Sequence, residues 1–331
     1  MRFLRAFFVA AFVAAFTLFF ADRVFERTLP HCLRLADNFS PQYLLRTIDA
    51  IDGNSVVYLG DSALWGYDLP ATEAAVSLLR ERGIAAENLS YEGGSPANTY
   101  AVLRLLLAAR HPKAVVFNVN LKEFNAADSA YRKLYPGVET LVWPALSAGQ
   151  RALLTPTRGP TTLDSWIDEH LAQVWKLYGM RADVRYAIFN DVDAAHALEA
   201  WIERRSGAAE RSAAAHVPTP DKFEGTYDLS PIDRTNVSMA FLADTVALLR
   251  EQHVRAYAIL TPTNHRLLHD YVDVPEYGRN LETVRHVLEA GGVRVIDYDR
   301  TFAALEFIDN DHLTAPGNAH LADMLERDVR P

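Results

Sequence analysis

From residue 55 onward, short apolar runs rich in β-branched residues alternate with amphipathic stretches, and that rhythm admits few folds. "SVVYLG" (55–60) reads as a buried strand closed by Gly60. A helix is expected over about 70–81, with Pro70 near its first turn and Gly83 beyond its end. "AAENLS" leads into a polar loop, "YEGGSPAN", and a helix over about 98–110 stops before Pro112. "AVVFNV" (114–119) is the next strand. The alternation resumes at Ser230, where Ser230-Pro231-x-Asp233 offers a capping serine, a proline in the first turn and an acid behind it. The helix it opens presents Met239, Leu242, Val246 and Leu249 along one face. Strands "VRAYAIL" (254–260) and "VRVIDY" (293–298) bracket the helix "NLETVRHVLEAGG", and a last helix begins after Thr314. Strands alternating with helices predict a parallel α/β sheet covered by helices on both faces. In such sheets ligands bind outside the carboxyl ends of the strands. Ser62 stands at such an end.

Residues 125–229 break the rhythm. They hold helical patches such as "LDSWIDEHLAQVWKLYG" but no strand pattern. They also hold "RSGAAERSAAAHVPTPDKFEGTYD", whose polar, small-residue composition reads as a long or partly disordered loop. This region is expected to be an insertion within one domain spanning 55–331.

The N-terminus carries a different signal. Arg2 and Arg5 precede an uninterrupted apolar run over 6–21, 16 residues, where a full membrane span takes about 20. Phe3 and Leu4 extend the stretch, and Arg5 can snorkel to headgroups. The reading is an uncleaved signal anchor over 1–22, followed by a juxtamembrane linker over 23–54. A cleaved secretory signal is the alternative, although Phe19-Phe20-Ala21 lacks the small-x-small pattern of a cleavage site. Basic residues at the extreme N-terminus keep that end cytoplasmic, which would place the rest beyond the inner membrane, on the periplasmic side.

Composition narrows the function classes. The net charge of −9 comes without a basic stripe, which argues against a general nucleic-acid binder. Cys32 is the only cysteine, so neither an internal disulfide nor a cysteine-rich metal site can form.

A serine nucleophile at position 62 needs a base, a group to orient that base, and donors for the oxyanion. "FIDNDHLTAPGNAH" offers His312 with Asp309 three residues earlier; Asp311 is nearer in sequence, but an adjacent residue usually projects elsewhere. Gly93, in "NLSYEGGSPAN", can bring a backbone N–H close to a substrate. Asn120, with Asn118 as the other choice, can add a side-chain N–H from the end of the strand at 114–119. Asn264 and His265 are further polar loop residues that can contact substrate, and Trp65 and Tyr67 adjoin the nucleophile. Each of these also has an ordinary reading as a turn or core residue. No cofactor is expected. A metal site from Asp309, Asp311, His312 and His320 finds no support in any other His or Cys spacing.

Taken in order, the blocks resemble the SGNH (GDSL) hydrolase superfamily. The first is Gly60-Asp61-Ser62 with Gly66 four residues on. The second is Asn88-x-Ser90-x-x-Gly93-x-Ser95, and the last is Asp309-x-x-His312 followed by Leu313-Thr314 and Gly317. The family's third block, Gly-x-Asn-Asp, is degenerate here: Asn118-Val119-Asn120-Leu121 lacks both the glycine and the aspartate. The resemblance covers about 55–125 and 230–331. It implies a three-layer, flavodoxin-like sheet and acyl transfer through Ser62, His312 and Asp309, with Gly93 and Asn120 at the oxyanion. Single-anchor members of this type resemble two groups. One comprises esterases acting on glycans or lipids, lysophospholipases included. The other comprises envelope-modifying transferases, such as the D-alanyl transfer and alginate O-acetylation proteins, which work beside a multi-span membrane-bound O-acyltransferase. A catalytically silent binding module on the same fold is the third possibility.

Overall fold

The computed structural model describes residues 2–28, 41–157, 163, 170–171, 175–181, 218–227, 232–233 and 235–330. Helix α1 (Arg2–Thr28) precedes the α/β body, which α2 (Pro41–Asp49) enters. Strand β1 (Val56–Leu59) leads into the one-turn helix α3 (Ser62–Trp65) and then α4 (Ala75–Glu81). Next come β2 (Ala86–Asn88), α5 (Pro96–Ala109) and β3 (Ala114–Val119). After β3 the chain passes through α6 (Pro136–Val142), α7 (Ala148–Leu153) and the single turn α8 (Lys176–Gly179). It then forms α9 (Val237–Glu251), β4 (Ala256–Leu260), α10 (His265–Val272), α11 (Pro275–Ala290), β5 (Arg294–Asp297) and α12 (Ala315–Asp328).

The five strands form one parallel sheet in the order β2-β1-β3-β4-β5. All residues of β1, β3 and β4 are buried, as a strand covered on both faces requires. Alternate side chains feed two cores. Val57, Leu59, Val115, Phe117, Val119, Ala258 and Leu260 face α2, α5, α6, α9 and α11. Val56, Tyr58, Val116, Tyr257, Ile259 and Ile296 face α4 and α12. The crossover from β1 to β2 runs outward and puts α4 on one face; the later crossovers run the other way and put α5, α9 and α11 on the opposite face. That distribution follows from the right-handedness of parallel crossovers. Burying each Leu or Val of these faces contributes about 1.5–3 kcal/mol.

The registers align the strand ends: Leu59 pairs with Phe117, Val119 with Leu260, and Leu260 with Asp297. The chain reverses its direction of travel across the sheet between β1 and β3, so the crevice at that switch point opens at the carboxyl ends of these two strands. Ser62 and Asn120 border it.

Several elements differ from the sequence reading in their bounds. The helix expected over 70–81 divides into a 3-10 turn (Ala71–Glu73) and α4, because Ala74 takes an extended backbone between them. Helix α5 starts two residues earlier than expected because Ser95 caps it, accepting the Asn98 N–H. The cap of α9 is Asn236, which accepts the Met239 N–H at 3.1 Å; Asp233 instead closes a turn onto Thr235. The expected cap at Ser230 and Pro231 lies outside the described residues. The apolar face of α9 is as read, with Met239, Leu242, Val246 and Leu249 all buried. Most of 163–179 and of the polar stretch after 205 also lies outside the described residues. Where 125–229 is described, it is helical or turn and contains no strand.

The membrane span expected over 1–22 is not supported here: among the described residues no helix is long and apolar enough to cross a membrane. Helix α1 has 27 residues, and Val9, Phe12, Phe16, Phe19 and Phe20 along it are exposed.

Candidate active site

The loop that carries the candidate nucleophile, Ser62, is built from the end of β1. Asp61 caps α3, its Oδ1 accepting the Ala63 N–H at 2.9 Å, and this fixes Ser62 as the first helical residue. Asn118, near the end of β3, clamps the loop from the side. Its Oδ1 accepts the Asp61 N–H at 3.1 Å, and its Nδ2 donates to Asp61 Oδ1 at 2.6 Å and to Thr261 Oγ1 at 2.9 Å. Three strand ends are thereby tied together beneath a buried Ser62.

The candidate base, His312, lies on the loop between β5 and α12. A bridge pairs Phe307 with Leu313, and the Ile308 N–H donates to His312 O at 2.7 Å, closing a tight loop over 308–312. Inside it, Asp309 Oδ1 accepts the N–H groups of Asp311 at 3.2 Å and His312 at 3.0 Å. With this orientation fixed, Asp309 Oδ2 meets His312 Nδ1 at 2.8 Å. The other ring nitrogen, Nε2, lies 2.7 Å from Ser62 Oγ. With its proton on Nδ1, the ring donates to Asp309 and presents the Nε2 lone pair to the serine O–H. Tyr67 stacks on the imidazole, centroids 4.3 Å apart, whereas Trp65 is buried in the core.

Electrostatics follow from this packing. Burial alone would raise the Asp309 carboxyl, but the hydrogen bond and charge of His312 and the two loop N–H groups bring it down to about 2. Burial opposes the charged form of His312, yet the Asp311 charge and the Asp309 hydrogen bond raise it above its ordinary value. The folded value of Asp309 lies below the unfolded one, so its stabilisation is full above about pH 4 and lost as pH falls towards 2. The folded value of His312 is raised, so its contribution is full below about pH 6.5 and lost at higher pH as the ring deprotonates. A shift of the Asp309 size corresponds to roughly 2 kcal/mol. Wild type should therefore be more stable than Asp309→Asn at pH 5, with the gap narrowing as pH falls below 4. Urea unfolding of both proteins at pH 5 and pH 3 checks this, and an unchanged gap would count against the pairing.

Two backbone donors, the N–H groups of Gly93 and Ser62, are the candidates for an oxyanion. Gly93 has φ +69°, a conformation that favours glycine, and an added Cβ would lie 2.7 Å from the Tyr135 hydroxyl. Among the described residues, neither the Gly93 N–H nor the Ser62 N–H meets a protein acceptor. Asn120 is placed differently from the sequence expectation. Its Nδ2 donates to Asp61 Oδ2 at 3.1 Å and to Asp311 Oδ2, so both amide hydrogens are held by carboxylates and neither is left for an oxyanion.

Other candidates also sort themselves by contact. Asn264 Nδ2 donates to Asp309 O at 2.9 Å and its N–H to Asn310 O at 2.8 Å, so it braces the base loop from behind. His265 is held between Asp299 at 2.8 Å and Asp273 at 3.0 Å. His320 pairs with Glu306 at 2.8 Å, apart from the triad. Ligand-type atoms of Asp309, Asp311 and His312 lie within 4.8 Å of one another. Their charges, however, already face each other and Lys122.

The sequence reading missed a buried polar cluster below the triad. Asp311 is fully buried and projects inward, so that its Oδ1 lies 3.7 Å from His312 Nδ1 while Oδ2 pairs with Lys122 Nζ. Glu123, also buried, is hydrogen-bonded to Asp61. Burial first, and then the Asp61 charge, push its carboxyl well above the usual range. Burial would raise Asp61 as well, but the Lys122 charge, the Ala63 N–H and Asn118 lower it overall. The available signal was a Lys-Glu dipeptide three residues beyond the end of a fully buried strand, where charge is costly unless paired.

Comparison with known proteins adds little to this geometry. No family model and no curated protein matches the chain. Among solved structures it is similar to a member of the lipolytic protein G-D-S-L family from Veillonella parvula DSM 2008. The identity is 10%, covering 83% of this chain and 97% of that one, with a TM-score of 0.39. It is also similar to an alpha/beta hydrolase enzyme from the metagenome of Lake Arreo, Spain, at 12% identity. That match covers 84% of this chain and 96% of the other, with a TM-score of 0.38. At scores this low the fold assignment rests on strand order and register, and the site rests on its own distances.

Proposed function

We propose that this chain is a membrane-anchored serine acyl-ester hydrolase or acyltransferase of the SGNH type. Its substrate is an acylated cell-envelope glycan or lipid, and the leaning is to O-acyl transfer. One observation carries the reading: a buried serine whose Oγ lies 2.7 Å from His312 Nε2, with Asp309 at 2.8 Å on the opposite ring nitrogen. Nucleophile, base and orienting group in that order constitute an acyl-transfer triad.

In the proposed reaction Ser62 Oγ forms a bond to the ester carbonyl carbon as Nε2 takes its proton. The oxyanion is held by the N–H groups of Ser62 and Gly93, without the Asn120 side chain. The ester C–O bond then breaks and His312 returns the proton to the departing alkoxide. An acceptor hydroxyl, from water or a glycan, reverses these steps to release the acyl group. A cleft of about 300 Å³ opens at Gly93, bordered by Asn98, Ala130, Leu134, Tyr135 and Pro136, and gives room for an acyl group or sugar unit.

The anchor is part of the same proposal. Exposed aromatic and aliphatic side chains distributed around α1 suit a lipid environment, with the triad on the extracytoplasmic side of the inner membrane. For a transferase, a multi-span O-acyltransferase is the partner that supplies the acyl group.

The test uses full-length protein in detergent with p-nitrophenyl acetate, following chromophore release and intact mass, with Ser62→Ala as control. The expected result is a single acyl addition on Ser62, absent from the variant. Release only on addition of a glycan hydroxyl identifies a transferase; steady turnover in water identifies an esterase. Absence of both adduct and turnover overturns the enzymatic reading in favour of a silent binding module.

A further inference from the structure

The cluster beneath the triad joins the two loops on which the triad is built. Lys122 sits in the 3-10 turn (Leu121–Phe124) that follows β3, and its side chain is 15% exposed. Its Nζ pairs with Oδ2 of Asp311, a carboxylate with no exposure at all. Asn120 spans the two sides, donating to Asp311 on the base loop and to Asp61 on the nucleophile loop. The other oxygen of Asp311, Oδ1, is buried and accepts no hydrogen bond among the described residues, and it lies 3.7 Å from His312 Nδ1.

A buried ion pair is seldom the most stable filling for its space, because desolvation offsets much of the Coulomb attraction. Here it has a specific neighbour. We propose that Lys122 and Asp311 are positioning residues that set the placement and charge balance of His312 through a buried ion pair. This proposal rests on the reading of His312 as the base. Two carboxylates lie near Nδ1, Asp309 at 2.8 Å and Asp311 at 3.7 Å. Both favour the charged ring, and a ring that is already charged cannot take the serine proton. Lys122 offsets the second carboxylate and leaves His312 able to act as a base near neutral pH.

The groups that face His312 come from every element around it. Asp309 and Asp311 belong to its own loop, Ser62 to α3, Tyr67 to the segment after α3, and Lys122 to the turn after β3. Asp61, Glu123, Tyr131 and Tyr227 stand behind Lys122 and Asp311. Among these, Lys122 and Asp311 act on the ring with opposite sign, Asp311 favouring its protonation and Lys122 opposing it. Replacing one or the other therefore moves the ring in opposite directions.

The experiment is an NMR titration of the His312 imidazole in full-length protein labelled at histidine, the resonance assigned by His312→Gln. Lys122→Met should move the midpoint upward and Asp311→Asn downward, each by about one pH unit, a tenfold change in the neutral fraction. Lys122→Arg should restore the wild-type midpoint, and Lys122→Met combined with Asp311→Asn should fall between the single variants. The acid limb of kcat/KM for p-nitrophenyl acetate should move with the titration. Midpoints that stay within 0.2 pH unit (about 1.6-fold) of wild type, or that move together, overturn the proposal. If Lys122→Met fails to fold, Asp311→Asn alone decides by the sign of its shift. The titration needs no turnover, so an inactive protein with oppositely shifted midpoints would refute the proposed reaction while sustaining the role of the pair.

Discussion

Replacing His312 by alanine is expected to lower kcat/KM for an activated ester by 10³-fold or more, with folding intact. The serine then has no acceptor for its proton, and the remaining catalysis comes from the oxyanion donors and binding, typically on the order of 10³–10⁴-fold over water. Asp309→Asn should cost somewhat less, because the ring keeps its stacking on Tyr67 and its position against Ser62. Its tautomer, however, loses the acceptor that fixes it. Ser62→Ala combined with His312→Ala should be hardly worse than either alone, since residues acting as a unit are far from additive. Steady-state kinetics on the four variants reads all of this. A His312→Ala protein retaining a tenth of wild-type kcat/KM would remove His312 from the mechanism.

The second large effect is expected at Gly94, which touches no substrate. A Cβ there would lie 2.4 Å from the Gly60 carbonyl oxygen, 2.9 Å from its carbon and 3.0 Å from Asp61 Cα. All three are backbone atoms of the loop that carries Ser62, so no side chain can swing away. Gly94 lies outside the positive-φ region, and the penalty is therefore one of close approach alone. Gly94→Ala should displace residues 60–61 by a few tenths of an ångström to an ångström and destabilise the protein by about 1–3 kcal/mol. Misplacement of a nucleophile on that scale costs roughly 10²-fold in rate. The comparison is Gly278→Ala in α11, where a Cβ meets nothing within 4 Å and the helix gains about 0.5–1 kcal/mol. Thermal unfolding and kcat/KM on the two variants separate the cases. Equal activity of Gly94→Ala and wild type would mean that the loop yields freely.

These effects show where sequence information was local and where it was not. Strand β3 could be read to the residue, because six consecutive buried positions leave no alternative pattern. Asp309 and His312 could be read as a pair because they are three residues apart in a loop ahead of a capped helix. Helix α10 went unread: it is eight residues long and carries "HRLLHDYV", with only Leu268 and Val272 buried. The start of α9 falls at Val237, where Asn236 caps it, rather than behind Ser230, because the cap that the sequence pattern suggested lies seven residues ahead of the helix. Asn120 and Asp311 illustrate the general limit. Each has an ordinary local reading, oxyanion donor for one and outward-facing neighbour of a histidine for the other. Their contact spans 191 positions and exists only because β3 and the segment after β5 end at the same edge of the sheet.

The adjacency of β3 and β4 has a consequence for how the molecule reaches its native state. Val119 and Leu260 are partners in the ladder, yet β3 and β4 are separated along the chain by the region that breaks the strand–helix rhythm. The units β1-α4-β2 and β2-α5-β3 can assemble from near neighbours, and so can β4-α11-β5. Joining the two groups requires closure of a very long loop. That closure adds little to the free energy, since each doubling of loop length costs only about 0.6 kcal/mol, but non-local pairing slows the search. Ser62 belongs to the first group and His312 to the second, 250 positions away. Each half of the sheet can therefore acquire helices and strands while still holding only part of the candidate site, which is complete only once the two halves zip together.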